Sequence, residues 1–473
     1  MLAQTFSVDR PLPEGVRDLL FADAVAIRGM ASALRAIWRN WSYHEIILPT
    51  FEYAATLATD VGAEIDAEMY RFLDRQGRTL ALRPDMTIPT ARVIGTRLYD
   101  QAMPIRASYI GSVFRYEPPR AGRQHEFIQA GVELIGAPGR AADAEVVALA
   151  VAALHAVGLP EYRITLGHVG FFRGLLGALA LPERLAGRLR LAVARKAEAE
   201  VADLLSSAGT VAAAARRALL ALPRLTGSTA VLAEAEEVCL NPGMAHAIAD
   251  LQASAKLLDA YGVADLVTYD LAEVRDLDYY TGITFEGFAP GLGTSLISGG
   301  RYDDLIGRFG PAQPAVGWAL TLDQVLVARE MQGIVQPEPA ADILVSVAAR
   351  PESLAWVGEA RARGLQVEVD PLGLEPEALW AAARGRGIPR VAWPDEVRGN
   401  REQEVGNRAQ GTGSREQEIG TCGAAHDHGE QGAGPTTYSL VPTPYAGAWV
   451  VRDANGPRVL AAGDWEELAR WLR

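Results

Sequence analysis

The pattern of hydrophobic and polar positions divides the chain into a long first part, a linker and a shorter second part. A helical period of apolar residues over Asp23–Trp41 predicts a helix. The short apolar run His44–Pro49, which ends at a proline, predicts a strand. Extended segments at Pro104–Glu117 and His125–Gly136 are separated by seven residues rich in proline and glycine, which predicts an antiparallel pair around a loop.

Further along, helical and strand patterns alternate. Residues 141–158 are Ala-rich and helical, and Phe171–Tyr261 is dominated by helix formers, so we interpret it as an inserted helical subdomain. Strand-like composition returns at Val267–Leu271, Ile283–Phe288 and Ser295–Ser298. The segment Val316–Glu330 is predicted to be a strand followed by a helix.

These elements predict two domains. Residues 1–330 would form the core, with residues 171–261 as its mostly helical insertion, and residues 331–340 would be a linker. A βαβαβ alternation predicts a small α/β domain over 341–396, resumed at 438–473. Residues 397–437 are polar, contain two near-repeats and hold almost no large apolar residue, so we expect this insert to be disordered.

Composition narrows the class of protein. The 473 residues carry 45 basic and 58 acidic side chains, a net charge of −13, which argues against a main task of binding nucleic acid. The amino terminus does not resemble a secretory signal, and no apolar run reaches the ~20 residues that span a bilayer. The two cysteines, Cys239 and Cys422, form no ligand-like spacing. We therefore expect a cytoplasmic protein without a membrane segment.

The strand His125–Gly136 carries the first candidate chemistry. Because side chains alternate along a strand, Gln129 and Glu133 point to one face, and Gly131 between them has no side chain to obstruct a ligand. A carboxamide and a carboxylate suit a small molecule rich in N–H donors. The alternative is that both side chains pair with neighbouring arginines.

For three further polar residues, a structural role is an alternative to ligand binding. Arg115, in the partner strand, suits a phosphate or carboxylate, but strand arginines are often structural ion-pair partners. Thr87 is well placed to cap a helix beginning at Ile88-Pro89, and Asp85 just before it suits a ligand ammonium. The alternative is that Asp85 and Thr87 only satisfy the free N–H groups of that helix.

Two glycine-containing segments hold tyrosines and charges, Arg275–Gly282 and Ser298–Asp303. Neither has the strand-to-helix pattern of a phosphate-binding loop. Buried tyrosines such as Tyr279 and Tyr280 are usually core residues with a satisfied hydroxyl. By themselves these segments therefore do not define a site.

Taken in order, these segments resemble the histidyl-tRNA synthetase family of class II synthetases. The resemblance rests on Arg17-Asp-Leu, Phe114-Arg-Tyr-Glu117, Glu126–Glu133, Arg275–Gly282, Gly299–Asp303 and Ala315–Trp318, and covers nearly all of the first 325 residues. It implies that Asp85 and Thr87 hold the ammonium of histidine and that Gln129, Glu133 and Tyr280 line the amino-acid pocket, with Tyr279 beside it. It also implies that Arg115 faces the α-phosphate and that Arg275 assists adenylate formation.

Two departures from the synthetase pattern change the implied function. The motif Arg83-Pro-Asp-Met-Thr87 resembles that of the non-catalytic relatives of the family, the ATP phosphoribosyltransferase regulatory subunits. In addition, Gln324 stands where the family's third motif has an arginine that stacks on adenine, so the ATP site is degenerate. Because an amide cannot clamp a triphosphate, we expect no catalytic residues. The alternative is an active histidyl-tRNA synthetase with a degenerate third motif, which the retained Arg275 favours.

The resemblance implies an α+β fold with a mostly antiparallel sheet of six or seven strands flanked by helices, a helical insertion and a small C-terminal α/β domain like an anticodon-binding domain. It implies a homodimer, with His44–Pro49 at the interface, inside a hetero-oligomer with the short-form catalytic ATP phosphoribosyltransferase subunit, and L-histidine as effector. We expect no cofactor, no nucleic-acid partner and no metal, since His426 and His428 are isolated in the polar insert.

Overall fold

The computed structural model describes residues 12–59, 62–116, 124–179, 181–207, 211–272, 279–338, 340–346, 351–394 and 448–461. The predicted disordered insert 397–437, the loop around Gly122 and the pair Arg275 and Asp276 lie outside these residues. The chain divides into two units, Met1–Pro337 and Glu338–Arg473.

The first unit contains both helices and strands. The strands are β1 His44–Glu45, β2 Phe51–Tyr53, β3 Arg71–Leu73, β4 Thr79–Leu82, β5 Ile105–Phe114, β6 Glu126–Ile135, β7 Arg163–His168, β8 Thr226–Gly227, β9 Val267–Asp270, β10 Ile283–Phe288, β11 Ile297–Arg301 and β12 Ala315–Thr321. The helices are α1 Phe21–Asn40, α2 Ala54–Leu57, α3 Gly62–Glu68, α4 Thr87–Arg97, α5 Arg140–Ala156, α6 Val169–Leu179, α7 Glu183–Ala194, α8 Glu198–Ser207, α9 Ala213–Ala221, α10 Ala230–Glu237, α11 Pro242–Ala260 and α12 Leu322–Met331.

Nine strands of the described residues form the central sheet, in the order β1-β5-β6-β12-β11-β10-β7-β9-β8. The pairs β1–β5 and β7–β9 are parallel and the others are antiparallel, so the sheet is mixed. The predicted count of six or seven strands is therefore wrong. The edge strand β8, which has two residues, is too short to leave a periodic signal.

The predicted strand His44–Pro49 shortens to His44–Glu45 because a buried arginine takes over its carbonyl groups. The Arg83 guanidinium donates to the carbonyl oxygens of Leu48 at 2.7 Å and Pro49 at 3.1 Å. It also donates to Ser112 at 2.7 Å, on the neighbouring strand β5. Arg83 thus replaces strand pairing with side-chain hydrogen bonds, and it lies against Gly111, where a Cβ would be 2.4 Å from its Nη2.

The two faces of the sheet have different roles. Ala130, Val132 and Leu134 of β6 are buried in the large core beneath α1 and α5. Alternation along the strand sends Gln129 and Glu133 to the opposite face, as predicted. Trp318 of β12 connects the sheet to α5, because its Nε1 donates to the carbonyl of Val146 on that helix at 3.1 Å.

Helices α6 to α11 occupy most of the segment from Val169 to Ala260. Helix α11 begins at a proline preceded by Asn241, whose side chain accepts a hydrogen bond from the Met244 amide at 3.0 Å. The short strand β8 pairs with β9. Lys196 forms an ion pair of 2.7 Å with Asp270 at the end of β9. These contacts join the helical segment to the edge of the sheet.

The second unit has its own sheet. Its strands β13 Ile343–Ser346, β14 Val367–Asp370, β15 Val391–Pro394, β16 Ala448–Asp453 and β17 Gly456–Ala461 and its helices α13 Pro351–Ala362 and α14 Pro376–Gly385 give the order β14-β13-β15-β16-β17. β13 is parallel to β14 and β15, as the βαβαβ pattern predicts. Trp356 stacks on Trp449 with ring centroids 4.6 Å apart.

No helix among the described residues is long and apolar enough to cross a membrane. Within the same residues, no group of three or more histidine, cysteine or acidic side chains is arranged to hold a metal ion.

A second buried arginine, Arg301, fixes the end of β11. Its guanidinium binds the carboxylates of Asp143 on α5 at 2.6 Å and of Asp303 at 3.0 Å. It also approaches the carbonyl oxygen of Gly139 at 3.2 Å. Asp303 in turn accepts from the Ala315 amide at 3.1 Å, so Arg301 joins α5, β11 and β12.

We predict that Arg301→Met destabilises the protein by about 3–5 kcal/mol, because it leaves Asp143 buried without its ion-pair partner. Urea unfolding measures the change. The control is Arg224→Met, which breaks an exposed pair with Glu198 and should leave the midpoint unchanged. Equal effects of the two substitutions would contradict this assignment.

Candidate ligand-binding site

A pocket lies on the sheet face opposite the large core, between β6, β12 and the start of α4. Seven of the eight predicted pocket residues line it: Asp85, Thr87, Arg115, Gln129, Glu133, Tyr279 and Tyr280. The eighth, Arg275, lies outside the described residues. The remaining lining residues are Ile65, Ser298, Gly299, Tyr302, Gly317, Trp318 and Ala319.

Strand register places side chains of the pocket opposite glycines. Glu133 pairs with Gly317 of β12, and a Cβ at Gly317 would be only 1.7 Å from Glu133 Oε2. Tyr109 of β5 pairs with Gly131, where a Cβ would be 2.6 Å from the tyrosine hydroxyl. The expectation that Gly131 leaves room for a ligand is therefore wrong, because the Tyr109 ring fills that space.

The Glu133 carboxyl is the most enclosed acid of the pocket, with a residue exposure of 1%. Tyr109 donates to its Oε1 at 3.2 Å and Tyr302 donates to its Oε2, and the Thr87 hydroxyl also favours the carboxylate. Burial raises the pKa of Glu133 to about 8, since these hydroxyls stabilise the carboxylate only in part and the nearby charge of Asp85 opposes it.

Asp85 stands at the amino terminus of α4. Its Oδ1 accepts from the Ile88 amide at 3.0 Å, and the Thr87 amide also favours the carboxylate. Thr87 is the first residue of the helix, so the prediction that Thr87 caps a helix starting at Ile88 is wrong; Asp85 supplies the capping oxygen instead. Burial raises the pKa of Asp85 despite these donors and the nearby Arg115.

Gln129 and Arg115 present donors to the pocket. Gln129 Oε1 accepts from the Met86 backbone amide at 3.0 Å. This bond leaves the side-chain NH₂ group of Gln129 to act as a donor. This corrects the expectation that Gln129 receives ligand N–H groups. Arg115 Nε donates to the Pro84 carbonyl at 2.7 Å, and its guanidinium lies 5.7 Å from the centre of the Phe127 ring.

The pocket thus has an acceptor part, Asp85 and Glu133, and a donor part, Gln129 and Arg115. This division matches a zwitterionic amino acid whose side chain carries an N–H group. The cavity volume is about 50 Å³, room for about four water molecules. An amino acid must therefore move some lining side chains outward.

Gln324 lies in α12, apart from the pocket lining. Its Oε1 is buried and has no hydrogen-bond partner among the residues that the structure describes. The adjacent Asp323 is neutralised by Arg17 at 3.2 Å and accepts from the Ile128 amide at 2.7 Å. Position 324 therefore offers an amide, with no positive charge for a phosphate.

Tyr302, Ser298 and Gly317 line the pocket and Tyr109 donates to Glu133, but none of these four residues was predicted from the sequence. Tyr302 stands in the segment Ser298–Asp303, but nothing local distinguishes it from a core tyrosine. Tyr109 is recognisable only from its pairing with Gly131 across two strands. These residues can be identified only from the register between paired strands, which the sequence of one strand does not contain.

Known proteins share both fold and sequence with this chain. A family model of histidyl-tRNA synthetase matches residues 15–325. An ATP phosphoribosyltransferase regulatory subunit of Symbiobacterium thermophilum is 43% identical over 388 residues, which cover 81% of this chain and 96% of the relative.

Solved structures agree. That of an ATP phosphoribosyltransferase regulatory subunit/histidyl-tRNA synthetase from Bacillus halodurans is 32% identical, covers 81% of this chain and 98% of its own, and has a TM-score of 0.72. The histidyl-tRNA synthetase from Nostoc, 20% identical, covers 98% of this chain and all of its own with a TM-score of 0.73, which shows likeness of fold.

The fold and the pocket define a class II protein like histidyl-tRNA synthetase, with a mixed sheet flanked by helices and a small C-terminal α/β domain, as predicted. Within that class, the chain belongs to the family of ATP phosphoribosyltransferase regulatory subunits. The family predicted from the sequence is confirmed.

The raised pKa of Glu133 predicts a dependence of stability on pH. Between its ordinary value of 4.5 and about 8, the folded state holds a proton that the unfolded state has lost, so stability falls as pH rises. Glu133→Gln removes this loss. We expect the stability of the variant relative to the unmodified protein to rise by about 1 kcal/mol per pH unit across this window.

Urea unfolding of both proteins at several pH values between 5 and 8 measures this difference, with about 1 kcal/mol per unit as the slope to detect. The matched control is Glu234→Gln on the exposed side of α10, whose difference from the unmodified protein should stay constant with pH. Parallel pH curves for Glu133→Gln and the unmodified protein would contradict the buried, protonated Glu133.

Proposed function

We propose that this chain is the non-catalytic regulatory subunit of ATP phosphoribosyltransferase and that it binds histidine in the pocket around Glu133. The observation that carries the proposal is the combination of an amino-acid pocket with an amide at position 324. The relatives that share 36–43% of their residues with this chain are named regulatory subunits of that enzyme.

The ligand assignment follows from the charges of the pocket. Asp85 would accept the ammonium group of histidine, with Thr87 beside it, and Glu133 would accept an N–H of the imidazole ring. Gln129 and Arg115 would donate to the carboxylate, and Tyr279 and Tyr280 would form apolar walls. Histidine is the amino acid that the family resemblance names, and its ring supplies the single N–H donor.

An active histidyl-tRNA synthetase is the competing function. Such an enzyme must bind ATP and stabilise the charge that develops on its phosphates, a task for fixed cations. Gln324 offers no charge, and Arg17 nearby is already paired with Asp323. The names of the relatives also favour the regulatory function.

The partner is the catalytic ATP phosphoribosyltransferase subunit, which the name of the relatives implies. We propose that it is the short form, that histidine is the effector, and that the assembly is a cytoplasmic hetero-oligomer built on a homodimer of this chain. Histidine would act by binding one state of the assembly more tightly than the other, so its effect is limited by that difference in affinity.

An exposed apolar set supports the homodimer. Ile47 is 94% exposed and Leu73 is 68% exposed. They lie close in sequence to Phe51 and Phe72, whose rings meet edge to face at 5.7 Å while both remain exposed. An interface that covers these residues would remove their apolar surface from water.

The test of the proposed function is the activity of a short-form catalytic subunit, with and without this chain, across a histidine titration. We expect activity that depends on the chain and is inhibited by histidine. Asp85→Ala and Glu133→Ala should weaken histidine binding by about 2–5 kcal/mol, because each removes the partner of a buried ligand group. Isothermal titration calorimetry measures the affinity directly.

Glu234→Ala, an exposed acid on α10, is the control and should bind histidine normally. Unchanged affinity in both pocket variants would remove histidine from this pocket. Histidine-dependent exchange between ATP and pyrophosphate by the purified chain would instead support the synthetase.

Ile47→Asp tests the homodimer. A charge placed in a buried apolar interface should shift the chain to a monomer, which sedimentation velocity detects as a halved mass. Tyr99→Asp, at a residue that is 53% exposed outside this set, is the control and should leave the mass unchanged. A dimer that survives Ile47→Asp would place the interface elsewhere.

A further inference from the structure

Glu133 and its partner Tyr109 each lie across a glycine of the neighbouring strand. Its carboxyl lies across Gly317, where a Cβ would be 2.6 Å from Glu133 Cδ. The Tyr109 ring lies across Gly131 in the same manner, one strand further along the sheet. The carboxyl therefore lies flat against the sheet, with the Tyr109 hydroxyl at one oxygen.

Tyrosine hydroxyls use part of the accepting capacity of Glu133. A carboxylate offers about four acceptor positions. Tyr109 uses one on Oε1 and Tyr302 uses one on Oε2. Accepting positions therefore remain on the carboxylate for an N–H donor of a ligand.

We propose that Tyr109 and Tyr302 are positioning residues that set the ligand selectivity of the pocket, by holding both oxygens of Glu133 against Gly317 so that the carboxylate accepts an N–H donor of the ligand. The inference rests on the proposed binding of histidine. The imidazole of histidine supplies such a donor. A phenylalanine ring supplies none and would leave the buried acceptor unsatisfied, a mismatch that discriminates strongly between ligands.

The groups that face Glu133 come from every element around it. They are Asp85 and Thr87 at the start of α4, Tyr109 on β5, Tyr302 after β11 and Tyr279 before β10, with Gln129 and Arg115 lining the same pocket. The hydroxyls of Tyr109, Tyr302 and Thr87 lower the pKa of Glu133, whereas burial and Asp85 raise it. Loss of a tyrosine hydroxyl therefore favours the protonated acid.

This sign gives a readout that a purely structural role of the tyrosines would not produce. Histidine affinity should increase with pH as the Glu133 carboxylate forms. In Tyr302→Phe and Tyr109→Phe, the pH at which affinity reaches half of its maximum should shift upward by about one unit, with about tenfold weaker binding at pH 7. The preference for histidine over phenylalanine should fall by about tenfold.

The experiment is calorimetric titration of the full-length chain with histidine, and then with phenylalanine, from pH 6 to 9. Titration of the ligand itself is common to all variants and cancels in the comparison. The matched control is Tyr162→Phe, a buried tyrosine that donates to the Val151 carbonyl at 3.1 Å in the large core. It should leave the midpoint and the preference unchanged.

A double variant isolates the contact. In Glu133→Gln, which cannot ionise, the further change Tyr302→Phe should no longer move the pH midpoint. If the tyrosine variants lose affinity equally at every pH, or if the double variant still shifts, the positioning role is wrong while histidine binding stands. If the unmodified chain does not bind histidine at any pH, the proposed ligand is wrong and this inference falls with it.

Discussion

The pairing of β6 with its two neighbours is the constraint on which the rest of the first unit depends. The same register puts Val132 and Leu134 into the core under α5 and turns Glu133 to the other face, opposite Gly317. A shift by one residue would exchange the two faces. It would bury the Glu133 carboxylate in the large core, away from the hydroxyls of Tyr109 and Tyr302, at a cost of several kcal/mol. Core packing and pocket chemistry therefore specify the register together, and neither could change without the other.

Two buried guanidinium groups hold the backbone around this sheet. Arg83 binds carbonyl groups of the segment before β2 and of β5, while Arg301 joins α5 to β11 and, through Asp303, to β12. An arginine can serve several carbonyl or carboxylate oxygens at once because its five donors have fixed directions. The strands on both sides of the pocket are thus held by side chains that themselves do not line it. The pocket residues are in this way positioned by rigid neighbours, as binding sites require.

The sequence predicted those features that have a local signal. The alternation along β6 identified Gln129 and Glu133, and helical periodicity identified α1 and α12. Features that depend on a second element were missed or wrong. The role of Tyr109 and the filling of Gly131 require the β5–β6 register, and the orientation of the Gln129 amide requires the Met86 N–H from another segment. Asp85 and Thr87 are both able to cap a helix, so composition could not decide between them. Each pocket residue alone had a structural explanation; only the resemblance to a family placed them in one site.

The balance of charge in the pocket bears on its proposed role. Two buried acids, Asp85 and Glu133, face a pocket whose described cation, Arg115, already donates to the Pro84 carbonyl. Such a site suits a ligand that brings N–H donors more than it suits a polyphosphate, which needs several cations. Outside the pocket, Arg17 is paired with Asp323, and an amide occupies position 324. These positions therefore offer no spare positive charge to the phosphates of a nucleotide. If histidine is the effector, the free energy available for regulation is the difference between its binding to two states of the assembly. The contacts with Asp85 and Glu133 are where that difference would arise, because a hydrogen bond weakens steeply when its distance and angle leave the favourable range.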